Sequence, residues 1–254
     1  MQILNILEKI FKKVSSLWLS FLNYFYYTAK PSFLNPIAYL RKVSDKEGEK
    51  EFKKIDGGNL YKLISEIKEK SGSTGCEYAD YLILYNNVIK RKPLNVLELG
   101  SGISTCVIAY ALKKNSDQHN IQSKITTMEE SEFYYQDFLK IIPSSLKSYI
   151  NPLHSPRQTR YYSEKLGCFY KEIPSVDGGY DFLFIDAPQL YFPGDAMKCF
   201  DADLINLIND NKLNTCFILL DQRIGTLWAL NKLIPPLKLK YDVIKRQSTA
   251  VLEI

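Results

Sequence analysis

A short apolar run that ends in two glycines is the feature of this chain that most limits its fold. Residues 95–112 read NVLELGSGISTCVIAYAL, and the residues before Gly100 have the pattern of a buried parallel strand. Apolar residues return at helical spacing from Ile103 onward. The sequence therefore predicts a strand, a tight turn at Gly100 and Gly102, and a helix whose first backbone N–H groups are free to bind a ligand.

Strand-like and helical segments alternate through most of the chain, which predicts a parallel sheet covered by helices on both faces. A helix is predicted at about 76–90, and strands are predicted near 95–99, 124–129, 148–153, 180–186 and 215–221. The β-prone runs 240–245 and 248–254 are too close together for a crossover helix, so they predict an antiparallel hairpin at the sheet edge. The expected fold class is α/β: a Rossmann-like, seven-stranded, mostly parallel sheet with a terminal antiparallel hairpin and an N-terminal helical extension.

Charge and composition divide the chain near residue 75. Residues 1–75 contain thirteen basic and eight acidic residues, whereas residues 76–254 contain twenty of each, so the formal charge of +5 lies entirely in the first part. The stretch from Ser71 to Gly75 is typical of a hinge. We therefore expect a helical extension over 1–75 and one α/β domain over 76–254, and the neutral charge of that domain disfavours a nucleic-acid partner.

The first 27 residues predict an amphipathic helix with one apolar face. The polar face includes Lys9, Lys12 and Lys13. Such a helix can pack on its own domain, form a homodimer contact or bind an anionic membrane surface, and the pattern leaves these three interpretations open. The uncharged stretch 14–29 is too short to span a bilayer, and no cleavage motif of a signal peptide follows it.

Cysteine and histidine usage narrows the possible chemistry. The five cysteines are scattered and have no CxxC spacing, so the sequence predicts neither a zinc ribbon nor a disulfide framework. With His119 and His154 as the only histidines, a histidine-rich metal site is excluded. Free thiols suit a reducing compartment, so we expect a cytoplasmic protein. The predicted N-terminal helix also allows peripheral attachment to the inner face of the membrane.

Two stretches have less informative patterns. The charged run 42–54 is interpreted as a solvated helix. Residues 156–179 show no clear periodicity, and they suit either a substrate-binding loop or a solvent-facing insertion.

Three sequence motifs carry a resemblance to a known family. VLELGSGIST, ITTMEES and YDFLFIDAP resemble the successive strand-end motifs of class I S-adenosylmethionine-dependent methyltransferases, in particular bacterial small-molecule or glycan types with a GSGxST turn. The resemblance covers about 76–254. It implies S-adenosylmethionine as the cofactor and transfer of a methyl group to oxygen, or less favourably nitrogen, of a small molecule or glycan intermediate.

The glycine turn itself favours this cofactor over a dinucleotide. A dinucleotide site requires G-x-G-x-x-G, in which the third glycine lets the helix pack closely and the pyrophosphate lie on the helix end. Thr105 stands at that third position. S-adenosylmethionine has no pyrophosphate, so the turn of Gly100, Ser101 and Gly102, followed by Thr105, is interpreted as its binding site.

The resemblance also implies roles for residues at the strand ends. Glu98 would lie near the methionyl end of the cofactor, and Glu129 would accept hydrogen bonds from the ribose hydroxyls, with Glu130 as the alternative. A solvated role at a helix start is the other interpretation of Glu129. His154 and Ser155 are candidates for the adenine pocket, and a purely structural role is about equally expected for them.

Asp186 ends the predicted fourth strand and is the candidate catalytic residue, placed to orient or deprotonate the acceptor. Asp221 and Gln222 end the neighbouring predicted strand, and adjacent parallel strands lie about 4.8 Å apart, so we expect Asp186 and Asp221 to converge. With Gln222 they resemble the metal-binding Asp, Asp, Asn set of catechol-type O-methyltransferases. Gln222 departs from that asparagine, and Arg223 offers a structural ion pair instead, so a divalent metal is not favoured. A non-catalytic Rossmann-like binding or scaffold protein is the alternative function.

Overall fold

The computed structural model describes residues 36–71, 76–187 and 198–253. The predicted amphipathic helix over 1–27 lies outside the described residues, as do Gly72 to Gly75 of the predicted hinge. Among the helices of the described residues, none combines the length and the apolar character that a bilayer span requires.

Seven α-helices and ten strands make up the described part of the chain. The helices are α1 (Pro36–Phe52), α2 (Asn59–Lys70), α3 (Tyr78–Arg91), α4 (Ile103–His119), α5 (Glu132–Ile141), α6 (Asp203–Asn209) and α7 (Ile224–Leu233). The strands are β1 (Asn95–Leu99), β2 (Lys124–Glu129), β3 (Ile150–His154), β4 (Arg157–Tyr162), β5 (Lys165–Tyr170), β6 (Tyr180–Ile185), β7 (Phe200–Asp201), β8 (Leu213–Asp221), β9 (Lys240–Asp242) and β10 (Gln247–Leu252). Two 3₁₀ turns, Ile55–Gly58 and Ser144–Tyr149, complete the set.

The main sheet has seven strands in the order β3-β2-β1-β6-β8-β10-β9. Its first five strands pair in parallel, and β10 pairs antiparallel with both β8 and β9. The order reverses between β1 and β6, and open α/β sheets bind ligands outside the carboxyl ends of the strands at such a point. The predicted fold class and the terminal hairpin are therefore confirmed.

Alternate residues of the central strands pack into two separate hydrophobic cores, one on each face of the sheet. Val96, Phe182 and Phe184 face a cluster that includes α2, α3 and α4, whereas Leu97 and Leu183 face a second cluster with α6 and α7. A sheet covered on both faces has nearly continuous apolar strands. This is why β1 and β6 contain so few polar positions.

The charged run 42–54 does not form a fully solvated helix, as the sequence interpretation had it. It belongs mainly to α1, whose inner face packs against α3 and buries Arg41 and Phe52. A Cβ atom at Gly48 would lie 2.6 Å from the Cβ of Ala79, so the two helices cross in direct contact there. The charges that dominate the sequence lie on the opposite, exposed face of α1.

Residues 156–179, for which the sequence showed no periodicity, contain a β-hairpin. Strands β4 and β5 pair antiparallel from Arg157↔Tyr170 to Tyr162↔Lys165, and β5 pairs in parallel with β7 in a second, three-stranded sheet. Four of the six residues of β4 are exposed, so this strand has no alternation of apolar and polar residues. The absence of that alternation explains why the hairpin was not predicted.

Candidate active site

The glycine turn after β1 brings three strand ends together. Gly100 has φ +111° and Gly102 has φ +152°, backbone conformations that side chains disfavour. The Gly100 N–H donates to the Met128 carbonyl oxygen of β2 at 3.0 Å. On the other side, a Cβ atom at Gly100 would lie 3.1 Å from the Cβ of Ala187, just after β6. Glycine is therefore required where β2, β1 and the Asp186 segment meet.

Glu98 lies behind this turn and is 1% exposed. The Ser104 hydroxyl donates to Glu98 Oε1 at 2.6 Å, and the Thr105 hydroxyl donates to Oε2 at 2.5 Å. Burial raises the Glu98 pKa to about 7, and the hydrogen bonds from Ser104 and Thr105 oppose that rise. The side chain is thus enclosed by the first turn of α4 rather than facing a cavity.

Thr105 stabilises the turn from the same side. Its hydroxyl oxygen accepts a hydrogen bond from the Gly102 N–H at 3.1 Å while donating to Glu98. The threonine that replaces the third glycine of a dinucleotide motif therefore fixes the first turn of α4 and is completely buried. It shapes the turn without lining the cavity that the turn borders.

Glu129 ends β2 and lines a cavity of about 580 Å³. The Ser101 hydroxyl donates to Glu129 Oε2 at 2.8 Å, and the Ser131 N–H donates to Oε1 at 3.0 Å. The carboxylate is therefore held at the cavity wall in a fixed orientation. Each of its oxygens has a second lone pair with which it can accept a further hydrogen bond. Glu130 lines the same cavity.

The same cavity, named here the nucleoside cavity, also has walls that the sequence did not indicate. Tyr134, Phe138 and Ile141 of α5 line it opposite the glycine turn. They recur at helical spacing, which in sequence is indistinguishable from a core-facing stripe. The structure thus supplies an apolar wall beside the Glu129 carboxylate.

Asp186 follows β6 and lines the nucleoside cavity from the side of the switch point. Its N–H donates to the Leu99 carbonyl oxygen at 3.0 Å, which extends the β1–β6 pairing by one residue. Desolvation by the surrounding protein raises the pKa of the Asp186 carboxyl group. The Arg223 guanidinium, 4.0 Å from Oδ1, opposes that rise. The side chain is 39% exposed, so it remains accessible to a ligand.

A second cavity of about 300 Å³ lies on the other side of Asp186. We name it the acidic chamber, because its described lining includes the carboxylates of Glu77, Asp80, Asp186 and Asp221. Gln222, Arg246 and Cys76 also line it. The expected proximity of Asp186 and Asp221 at adjacent strand ends is confirmed, since their carboxylate oxygens and the Cys76 sulfur lie within 4.8 Å of one another.

These three groups do not form a good site for a hard divalent cation. Magnesium and calcium prefer oxygen ligands, whereas one of these three groups is a soft thiol. The positively charged Arg223 also lies beside Asp186. Gln222 occupies a left-handed backbone conformation with φ +37°, and its N–H donates to the Arg246 carbonyl oxygen.

His154 and Ser155 lie away from the nucleoside cavity as its described lining defines it. They line a separate cavity of about 510 Å³ between β3 and the segment that follows β5. His154 Nε2 lies 3.2 Å from the Glu130 carbonyl oxygen, and Nδ1 lies 3.1 Å from Glu132 Oε2. Ser155 is 5% exposed and accepts a hydrogen bond from the Glu172 N–H. A role for either residue at adenine stays a prediction.

Comparisons with known proteins agree with this architecture. No protein-family model matches the chain, and no curated protein matches its sequence significantly. A crystal structure of the SAH-bound methyltransferase PaMTH1 from Podospora anserina superimposes with a TM-score of 0.56 at 13% identity, covering 84% of this chain and 96% of that one. The O-methyltransferase from Bacillus cereus, in complex with SAH, gives a TM-score of 0.52 at 14% identity, covering 84% and 100%.

The chain has the class I methyltransferase fold. Identities this low establish the fold alone, and they confirm the fold that the resemblance implied. What the protein does with that fold has to be argued from its own cavities and side chains.

Proposed function

We propose that this protein is an S-adenosylmethionine-dependent methyltransferase that methylates an oxygen of a small molecule or glycan intermediate. The observation that carries the proposal is that the glycine turn, Glu129 and Asp186 line one cavity at the switch point of the sheet. The cavity volume of about 580 Å³ is ordinary for a cofactor site.

The lining of this cavity suits the parts of the cofactor. Glu129 can accept hydrogen bonds from both ribose hydroxyls, and its negative charge favours a positively charged sulfonium nearby. Phe138 and Ile141 offer an apolar surface for the adenine ring. The backbone of Ser101, just before the start of α4, offers an N–H group to the amino-acid part. Glu98 and Thr105 act from behind, because they hold that backbone in place.

Asp186 is the proposed catalytic residue. S-adenosylmethionine supplies, when bound, an electrophilic methyl group on sulfur. The Asp186 carboxylate takes the proton of the acceptor hydroxyl as the C–O bond forms and the S–C bond breaks, which leaves a neutral thioether product. A carboxyl pKa raised by the surrounding protein makes Asp186 a stronger base than an exposed aspartate. Alignment of the acceptor oxygen with the methyl group supplies the rest of the rate.

Binding of the cofactor and its product tests the proposal. Calorimetry on the full-length protein should show binding of S-adenosylhomocysteine and no comparable binding of NAD. Incubation with S-adenosylmethionine and an acceptor panel should then release S-adenosylhomocysteine. If the protein binds neither S-adenosylmethionine nor S-adenosylhomocysteine, the alternative function, a non-catalytic binding or scaffold protein, is favoured. Tighter binding of NAD than of S-adenosylhomocysteine would refute the proposed cofactor.

A membrane partner is proposed separately, from the sequence of residues 1–30. The basic excess is confined to the N-terminal part, and each lysine near an anionic surface contributes about 1 kcal/mol of binding. Full-length protein should sediment with anionic vesicles at low salt, and a protein that starts near Pro31 should not. Equal sedimentation of the two would favour packing on the domain or a homodimer contact instead.

A further inference from the structure

The acidic chamber carries more negative charge than the described residues around it balance. Glu77, Asp80, Asp186 and Asp221 line it, and Arg246 is the basic residue in its described lining. Arg246 is already paired with Asp45 of α1, since its Nη2 lies 3.1 Å from Oδ1 of that aspartate. Arg223 lines the nucleoside cavity, 4.0 Å from Asp186 Oδ1, and its charge also acts on Asp221. The chamber therefore offers a negative field to whatever enters it.

Two buried acceptor oxygens, one on Asp221 in the chamber wall and one on its neighbour Gln247 behind that wall, have no hydrogen-bond partner among the described residues. They are Oδ1 of Asp221, a residue only 8% exposed, and Oε1 of Gln247, which is 3% exposed. Asp221 and Gln247 are direct partners in the antiparallel β8–β10 pairing, so their side chains project from the same face of the sheet. The orientation of the Gln247 amide is set by donation from its Nε2 to Asp80 Oδ1 at 3.3 Å.

Unsatisfied buried acceptors are costly, and both of these require a donor. Asp221 lines the chamber, so a ligand there can reach its carboxylate. A primary ammonium group has three N–H donors and one positive charge, which match the Asp221 carboxylate and the carboxylates that line the chamber with it. The chemistry of the chamber thus favours a cation that donates hydrogen bonds.

We propose that the acidic chamber binds an ammonium group of the acceptor, so that the substrate class is an amino alcohol or amino sugar whose hydroxyl is presented to Asp186. The proposal rests on the function proposed above and specifies its substrate. Asp186 lines both cavities, and its carboxylate and that of Asp221 have oxygens within 4.8 Å of each other. That spacing suits an acceptor with an amine and a hydroxyl on neighbouring carbons.

The protonation of the chamber supports the same assignment. Burial, together with the charges of Asp186 and Asp80, raises the Asp221 pKa to about 8, and the charges of Arg223 and Arg246 oppose that rise. Burial raises the Asp80 pKa to about 6, against the opposing charge of Arg246. A bound ammonium group would stabilise the charged form of both carboxylates.

The test uses the full-length protein saturated with S-adenosylhomocysteine, and it measures the midpoint temperature of thermal unfolding, Tm. The Tm is compared in ethanolamine hydrochloride, in N-acetylethanolamine and in sodium chloride, all at the same ionic strength. Ethanolamine at about ten times its dissociation constant should raise Tm by about 3 °C. N-acetylethanolamine and sodium chloride should not, because neither offers an ammonium donor. The same ordering is expected for methyl transfer to glucosamine and to N-acetylglucosamine.

Asp221→Asn supplies the decisive variant, because it keeps the shape and removes the charge. It should lose the response to ethanolamine and retain affinity for S-adenosylhomocysteine. Asp117→Asn removes one exposed carboxylate of α4, remote from the chamber, and should respond like the unmodified protein.

An equal Tm response to ethanolamine and sodium chloride overturns the proposal, as does a response that survives in Asp221→Asn. Stabilisation by magnesium chloride that Asp221→Asn abolishes would show that the cation is a metal ion and would also overturn it. Because S-adenosylhomocysteine binding is measured first, these outcomes are distinct from failure of the proposed function.

Discussion

Glu98 and Asp221 are both buried carboxylates at the carboxyl edge of the same sheet, yet their surroundings differ. Glu98 has hydroxyl donors from Ser104 and Thr105 on its two oxygens, whereas Asp221 has an oxygen with no partner among the described residues. Burial raises the pKa of each, to about 7 for Glu98 and to about 8 for Asp221. A raised pKa therefore does not distinguish a carboxylate with hydrogen-bond donors on both oxygens from one that has an unpaired oxygen. The hydrogen-bond partners do distinguish them.

The two carboxylates also belong to different parts of the site. Glu98 supports the glycine turn that borders the nucleoside cavity, and Asp221 lines the acidic chamber. Asp186 lines both cavities. The comparison therefore separates residues that maintain the architecture from residues that contact the two reactants in the proposed function. Each of the following experiments tests one of these two groups.

The largest effect is expected at Asp186, where the two cavities meet. Asp186→Asn should lower turnover about a hundredfold or more, because the amide cannot accept the acceptor proton. Affinity for S-adenosylhomocysteine should change much less, since the variant keeps the size of the side chain. Steady-state rates and calorimetry on the same preparation check both statements. Full turnover in the variant would remove Asp186 from the chemistry.

Stability should change in opposite directions for the two buried carboxylates. Glu98→Ala should lower the free energy of unfolding by about 2–3 kcal/mol, because it leaves a cavity and deprives two buried hydroxyls of their acceptor. Asp221→Asn should raise it by about 1 kcal/mol, because an amide N–H can donate to the unpaired Gln247 oxygen and the buried charge is removed. Denaturant unfolding at pH 8 measures both, and a shift of the same sign in the two variants would contradict the distinction.

Cofactor affinity should depend on Glu129 more than on other acids of the nucleoside cavity. Glu129→Ala should weaken binding of S-adenosylhomocysteine by about 1–3 kcal/mol, because a charged acceptor for the ribose hydroxyls is lost. Calorimetry gives the number, with Asp137→Ala as a control acid that lines the same cavity on α5. If affinity is unchanged in Glu129→Ala, the ribose partner should be sought at Glu130.

The smallest expected effect is a pH dependence that belongs to Asp221. Its pKa is raised from 3.8 to about 8 on folding, so the folded state binds the proton more tightly than the unfolded chain does. The stabilisation from that proton is complete below about pH 4 and is lost as pH rises toward about pH 8. The Tm difference between Asp221→Asn and the unmodified protein should therefore grow from pH 6 to pH 8 and level off above it. A difference that is constant across this range would mean that Asp221 does not hold the proton.

Local patterns in the sequence were sufficient to predict most of the sheet. The strand before Gly100, the ends of β2 and β6 and the terminal hairpin all follow from apolar runs bounded by turn residues, and the structure has them within a few residues of the expected bounds. Strand ends at one edge also predicted that Asp186 and Asp221 would meet. These features depend on short-range periodicity, which a single sequence displays.

The acidic chamber could not be predicted in the same way. Asp80 lies in the first turn of α3 and Gln247 begins the last strand, and 167 positions separate them. Their contact depends on how α3 packs over the β8–β10 pair. The hairpin of β4 and β5 was missed for a different reason, since strand β4 is exposed on both faces and gives no alternating pattern.

The close approach at Gly100 also has a kinetic consequence. A Cβ atom at Gly100 would lie 3.1 Å from the Cβ of Ala187, so the absence of a side chain lets the glycine turn approach the segment that contains Asp186 closely. Methyl transfer requires donor and acceptor atoms about 3 Å apart and in line, and an error of 1 Å can reduce the rate about a hundredfold. In the proposed reaction, Gly100 would therefore influence the distance between donor and acceptor, although it is not in the described lining of either cavity.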